Sequence, residues 1–288
     1  GSNAMRYCTT GMYNTAVGFV AGQDITEGEY NTTLGFYSGK DITTGDRNVS
    51  LGADALRTAT TGNDNTAIGT NALYNNTTAS ENTAVGKSAL SANTTGTENV
   101  ACGHRALEAN TTAGQNTAVG QRALLVTTTG ANNTAVGNAA LRDNTTGNYN
   151  TAVGKSALKT CTTGEYNIAI GYQAGETQTT AAHNIAMGHN SLHSCTTGGY
   201  NVALGYSAQS ASTTGNANVS LGYATNDTIT TGYNCVAVGY NCRGVTDGQA
   251  NTYLGANLNG GNANNFAKIY QGNIIASYGP SDSGWSFS

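Results

Sequence analysis

One asparagine recurs every 17 residues along most of the chain, at Asn14, Asn31, Asn48, Asn65 and onward to Asn218. Glycine keeps the same period from Gly18 to Gly239, across fourteen copies. A fixed period of this length constrains the fold more than anything else in the sequence. A short unit that cannot bury its own apolar residues must stack on its neighbours. The unit reads Asn-Thr-Ala-Val-Gly-x-x-Ala-Leu-x-x-x-Thr-Thr-Gly-x-x, and its positions are numbered one to seventeen from the asparagine. At the fourteenth copy Cys235 takes the asparagine position, and the last copy, Asn251 to Gly255, comes one residue early.

The unit is too short for a helix pair, which needs more than about 30 residues and apolar spacing of three and four. Asn-Thr-Ala-Val-Gly alternates instead, with positions two and four on one face and three and five on the other. Its Thr and Val suit strands, and Thr-Thr-Gly has turn chemistry in which glycine permits positive φ. Each repeat therefore reads as one coil of an all-β solenoid, about fifteen coils in all. Stacking at about 4.8 Å per coil predicts a rod of roughly 70 Å. Like would stack on like, giving Asn ladders, Thr ladders and a Val/Leu spine from positions four and nine.

Composition agrees with such a chain and removes several alternatives. Leu, Ile, Val and Phe together make 43 of 288 residues, about 15%, too few for an ordinary globular core. Disorder would bring high net charge and much proline, yet the net charge is −4 and there is a single proline. No apolar run approaches the roughly 18 residues of a membrane span, and no basic excess would hold nucleic acid. We therefore expect neither a nucleic-acid partner nor membrane insertion. Small residues at positions three and five would let another backbone approach, so this Ala/Gly face predicts packing against a neighbouring chain. The competing reading places Ala in the tight interior of a flattened coil.

The run Asn82-Thr83-Ala84-Val85-Gly86-Lys87-Ser88-Ala89-Leu90 resembles the head repeats of trimeric autotransporter adhesins, whose unit is nearer fourteen residues. That resemblance implies a left-handed parallel β-roll and a parallel homotrimer. The longer form, with Asn-Thr-Thr-Gly between copies, is similar to repeats of bacteriophage tail fibres. In that group an endosialidase-type intramolecular chaperone often follows. The implied role is a structural fibre or adhesin segment that extends and presents a host- or surface-binding face. Its place would be a virion tail fibre or, alternatively, a bacterial cell surface, with a surface glycan or protein as receptor. Ice binding or carbohydrate binding is a further alternative. We divide the chain into 1–4, an expression-tag remnant with no signal peptide after it, 5–256, the repeats, and 257–288. The last segment, with Phe266, Tyr270, Pro280, Trp285 and Phe287, is expected to cap the solenoid or form a junction.

No residue pattern points to catalysis, so no enzyme activity, cofactor, catalytic residue or metal ligand is expected. Cys8, Cys161 and Cys195 share position twelve, but the last two are two coils apart, about 9.6 Å. That is beyond the roughly 7 Å a disulfide spans. Cys102 stands at an apolar position, and Cys235 and Cys242 lie in one coil, where they could meet only if it folds back. Free, mostly buried thiols fit a reducing compartment. His189 and His193 fall across a coil corner, and His104 and His183 lie apart, so ligand duty is not expected. Asp24 and Asp41 stack at position eleven of adjacent coils, where solvation or a cation would relieve their repulsion. Tyr13, Tyr30, Tyr149, Tyr166 and Tyr200 all precede the ladder asparagine. They form either a surface-contact column or a stack that covers itself.

Overall fold

The computed structural model describes residues 1–244, 246–258, 267–271, 274–278 and 286–287. The chain divides into two units, Gly1–Asn148 and Tyr149–Ser288. Both are parallel β-solenoid, about fourteen coils in all, with no helix among the described residues. The first unit carries β1 (Thr15–Val17), β2 (Thr32–Leu34), β3 (Val49–Leu51), β4 (Thr66–Ile68), β5 (Thr83–Val85), β6 (Val100–Cys102), β7 (Thr117–Val119) and β8 (Thr134–Val136). The second carries β9 (Thr151–Val153), β10 (Ile168–Ile170), β11 (Ile185–Met187), β12 (Val202–Leu204), β13 (Val219–Leu221), β14 (Val236–Tyr240) and β15 (Thr252–Ala256). Within each unit successive strands through β15 pair in parallel at like positions, as in Thr15↔Thr32 and Ile168↔Ile185. After β15 the pattern changes. β16 (Ala267–Gln271) pairs in parallel with β15, and β17 (Ile274–Tyr278) and β18 (Ser286–Phe287) add antiparallel strands. Tyr270 and Phe287 lie in these strands, whereas Phe266, Pro280 and Trp285 of the expected cap lie outside the described residues.

The interior of a coil is small and half polar. Asn82, Ala84, Ala89, Leu90 and Asn93 are fully buried, and Gly96 closes the ring. One leucine is the only large apolar group in such a coil, and burying it is worth about 1.5–3 kcal/mol. Hydrogen-bond ladders supply the rest of the order. The Asn99 backbone N–H donates to Asn82 Oδ1 at 3.0 Å, and Asn99 Nδ2 donates to Ala113 O at 2.9 Å. A second row runs at position twelve, where Asn93 Nδ2 donates to Asn76 Oδ1 and Asn110 Nδ2 to Asn93 Oδ1, each at 2.9 Å. Buried amides are tolerable only with such partners. Threonine at position thirteen repeats the device outside the core. Thr26, Glu27 and Gly28 all point their N–H groups at Thr43 O, at 3.1–3.2 Å, and the Thr26 hydroxyl joins them.

The structure reverses one expectation. Position three faces inward and position four outward: Ala84 is fully buried while Val17 is 53% exposed. The Ala/Gly face is therefore not a surface for a neighbouring chain, and the Val column is not an internal spine. Leucine at position nine already fills the narrow section, so only a small side chain, alanine or the serine of Ser50, fits across from it. Where position nine is glycine, position twelve supplies the volume instead. A Cβ at Gly22 would lie 2.9 Å from Ile25 Cδ1, and one at Gly39 would lie 3.0 Å from Ile42 Cδ1.

Glycine at position five is fixed by its own backbone. Gly86 has φ of +134°, and a Cβ there would stand 2.6 Å from Gly103 O in the next coil. Positions seven, nine and seventeen are also left-handed, though mostly without glycine: Ser88, Leu90 and Glu98 have φ of 57°, 50° and 59°. Each costs roughly 1–2 kcal/mol, which the ladders offset. The glycine of Thr-Thr-Gly, in contrast, is not left-handed. A Cβ at Gly28 would lie 2.4 Å from Gly45 O of the next coil, and the carbonyl of this position takes two amide donors: Asn65 and Asn76 both reach Ala79 O at 2.9 Å.

Candidate interaction face

The alternation that buries positions one and three points positions seventeen, two, four and six outward. In the coil of β10, Tyr166 is exposed, Asn167 buried, Ile168 half-buried, Ala169 buried, Ile170 exposed and Tyr172 exposed. Over β10–β14 of the second unit position two reads Ile168, Ile185, Val202, Val219 and Val236. Position four of those coils reads Ile170, Met187, Leu204, Leu221 and Val238. In the first unit position two is more often threonine, as at Thr66, Thr83, Thr117 and Thr134.

Aromatic ladders flank this strip. At position seventeen Tyr13 stacks on Tyr30 with ring centroids 4.8 Å apart, and Tyr149 on Tyr166 at 5.1 Å. Tyr166 then stacks on His183 at 5.1 Å, and His183 on Tyr200 at 4.8 Å. The five tyrosines singled out in the sequence thus fall into a pair, Tyr13 on Tyr30, and a run in which His183 lies between Tyr166 and Tyr200. A face taken up inside a stack cannot hold a sugar ring, so the inner rings offer edges and O–H groups. A parallel ladder at position six was not anticipated. Tyr172, His189, Tyr206, Tyr223 and Tyr240 stack in succession at 5.0–5.1 Å. Its signal was the recurrence of Tyr directly after the position-five glycine at four of five coils.

The polar groups find neighbours in adjacent coils. Lys40 contacts Asp41 and lies 3.5 Å from Asp24, so an amine sits where the stacked carboxylates would otherwise repel. The hydrogen bond with Asp41 in turn raises the lysine pKa. His193 and Lys159 meet Glu176 at 3.2 and 3.1 Å, while His189 belongs to the aromatic ladder, so the two histidines do not converge. Among the described residues no group of three or more His, Cys, Asp or Glu side chains could hold a metal ion. A polar hollow of about 280 Å³ is lined by Asn71, Tyr74, Asn75, Ser88, Ser91 and Glu108, and its one carboxylate is held by Arg105 at 2.6 Å.

All six cysteines are free. Cys161 and Cys195 stand in for the position-twelve asparagine, with Sγ 3.6 and 3.3 Å from Gly164 O and Gly198 O. Cys235 does the same at position one, 3.3 Å from Gly248 O. Burial pushes the Cys161 thiol up to about 12 and that of Cys195 up to about 11. Both stay protonated, and hence unreactive, near neutral pH. Cys102 differs: as the position-four residue of β6 it is exposed, not the buried spine residue its column suggested.

Comparison of the chain with protein-family models, curated proteins and solved structures gives no match.

Proposed function

We propose that this chain is a structural segment of a fibre or adhesin, in the manner of a phage tail fibre, that works as a parallel homotrimer and presents a repeated surface. A bacterial surface adhesin head is the alternative owner of the same physics. One observation carries the reading. Each coil closes its own interior with ladders, yet leaves apolar side chains of the strand facing outward coil after coil. Such rows are expensive in water unless something covers them, and a closed interior builds surface without a substrate pocket. Virion or cell-surface location and a glycan or protein receptor belong to this proposal. Light scattering on a sizing column tests it. Three copies of 29.3 kDa give about 88 kDa, and a single-chain mass would reject self-association.

A second reading has its own support. Thr66 and Thr83, and beyond Val100 Thr117 and Thr134, align hydroxyl and methyl groups beside the Val/Ile column of the first unit. Regular spacing of that kind suits an ice-binding face. Thermal hysteresis of the purified protein decides it, and a freezing point equal to the melting point removes it.

A further inference from the structure

The outward strip changes character between the units, and the change locates a contact. Over the five coils of β10–β14, positions seventeen, two, four and six give twenty residues without one Asp, Glu, Lys or Arg. Both strand positions are aliphatic throughout, and the position-six ladder stands beside them. Tyr206 and Tyr223 are each 47% exposed and Tyr240 54%. The first unit differs over β3–β6. Arg47, Asp64, Glu81, Lys87 and Glu98 stand at the same positions there, so covering that stretch would strip water from charges. Lys155, 5.8 Å from the Tyr172 ring centroid, marks the border at one end.

We propose that copies of this chain meet through the outward side of β10–β14, with the charged outward side of β3–β6 left in water. The proposal rests on the self-association reading above and says where it happens. Three features favour a second copy as the occupant. The strip measures about 24 Å by about 20 Å from strand spacing and rise, so a pair would cover on the order of 1,000 Å², the floor for a specific interface. An uncharged strip meets its own copy without burying an unpaired charge. Its ridges also repeat at the spacing of stacked strands, about 4.8 Å, and a second copy presents grooves of the same repeat.

Thiol reactivity on the assembled protein tests this independently of the mass. Native Cys102 reports the first-unit face, and a Leu204→Cys variant reports β12. After light scattering establishes assembly, both are exposed to a polyethylene-glycol maleimide and quantified by peptide mass spectrometry. Cys102 should label at least tenfold faster than Leu204→Cys. Equal labelling in an assembled particle overturns the location while leaving self-association intact, and a wild-type mass near 29 kDa overturns both. A second pair of variants checks the result. With unchanged circular dichroism, Leu204→Glu should fall to the single-chain mass, and Val119→Glu on β7 should not. Retained assembly in Leu204→Glu, or equal loss in both, counts against the proposal.

Discussion

Thr127 interrupts a row of buried amides, and the gap is visible atom by atom. Asn76, Asn93 and Asn110 hand a hydrogen bond from coil to coil at 2.9 Å. At the next coil Thr127 is too short to continue it. Asn110 Oδ1 and Thr127 Oγ1 are left buried without a partner, and a second gap follows where Asn144 Oδ1 meets the coil of Cys161, whose thiol turns to Gly164 O. Thr127→Asn should restore the row by donating to Asn110 and accepting from Asn144. Satisfying such groups is worth about 1–3 kcal/mol, so the thermal midpoint should rise by a few degrees. A lower midpoint would mean that the interior at this coil has closed around threonine. The sequence displayed the row as a column in which Asn and Cys recur at position twelve, but not the carbonyl three residues on that both of them reach. That carbonyl comes from the coil's closure, which no local pattern encodes.

At the scale of the coil, volume is shared between positions nine and twelve. Leucine at nine goes with Asn, Cys, Thr or Ala at twelve, whereas Gly39 goes with Ile42 and Gly175 with Gln178. A Cβ on Gly175 would already lie 2.8 Å from Gln178 Nε2. Gly175→Leu should therefore lower stability by about 1–3 kcal/mol through overpacking. Adding Gln178→Asn should recover most of the loss, because the coil, with Ala169 at position three, then matches that of Ala84, Leu90 and Asn93. Denaturant unfolding of the two single variants and the double variant gives the coupling, and additive losses would remove the shared-volume argument. The strand, its period and its parallel pairing were legible from alternation and repeat length. Which side faced inward was not. Alternation assigns two faces without ranking them, and the greater hydrophobicity of Val suggested the wrong one. The section inside is limited by the leucine of position nine, so alanine wins by size. The stacked tyrosines were legible as a column, but the choice between open platform and covered stack needed ring geometry.

For the molecule as a whole, the pairing pattern decides how damage spreads. Within each unit a strand contacts the strand before and the strand after, and no others. Stability in such a chain is close to a sum of coil terms and nearest-neighbour terms, unlike a globular core in which every element shares one interior. Gly86→Ala supplies a sharp local insult. The residue would keep φ near +134° and meet Gly103 O at 2.6 Å, or else shift both coils. The cost should be on the order of 3 kcal/mol. Hydrogen exchange on the folded protein should accelerate at β5 and β6, fade over the adjoining strands β4 and β7, and leave β10–β14 at wild-type rates. A uniform acceleration across all strands would show one cooperative unit and defeat the nearest-neighbour picture. Local damage with distant protection would also explain why the repeat tolerates its departures, from Cys235 in the asparagine row to the short last copy. Each irregular coil has only its two neighbours to satisfy.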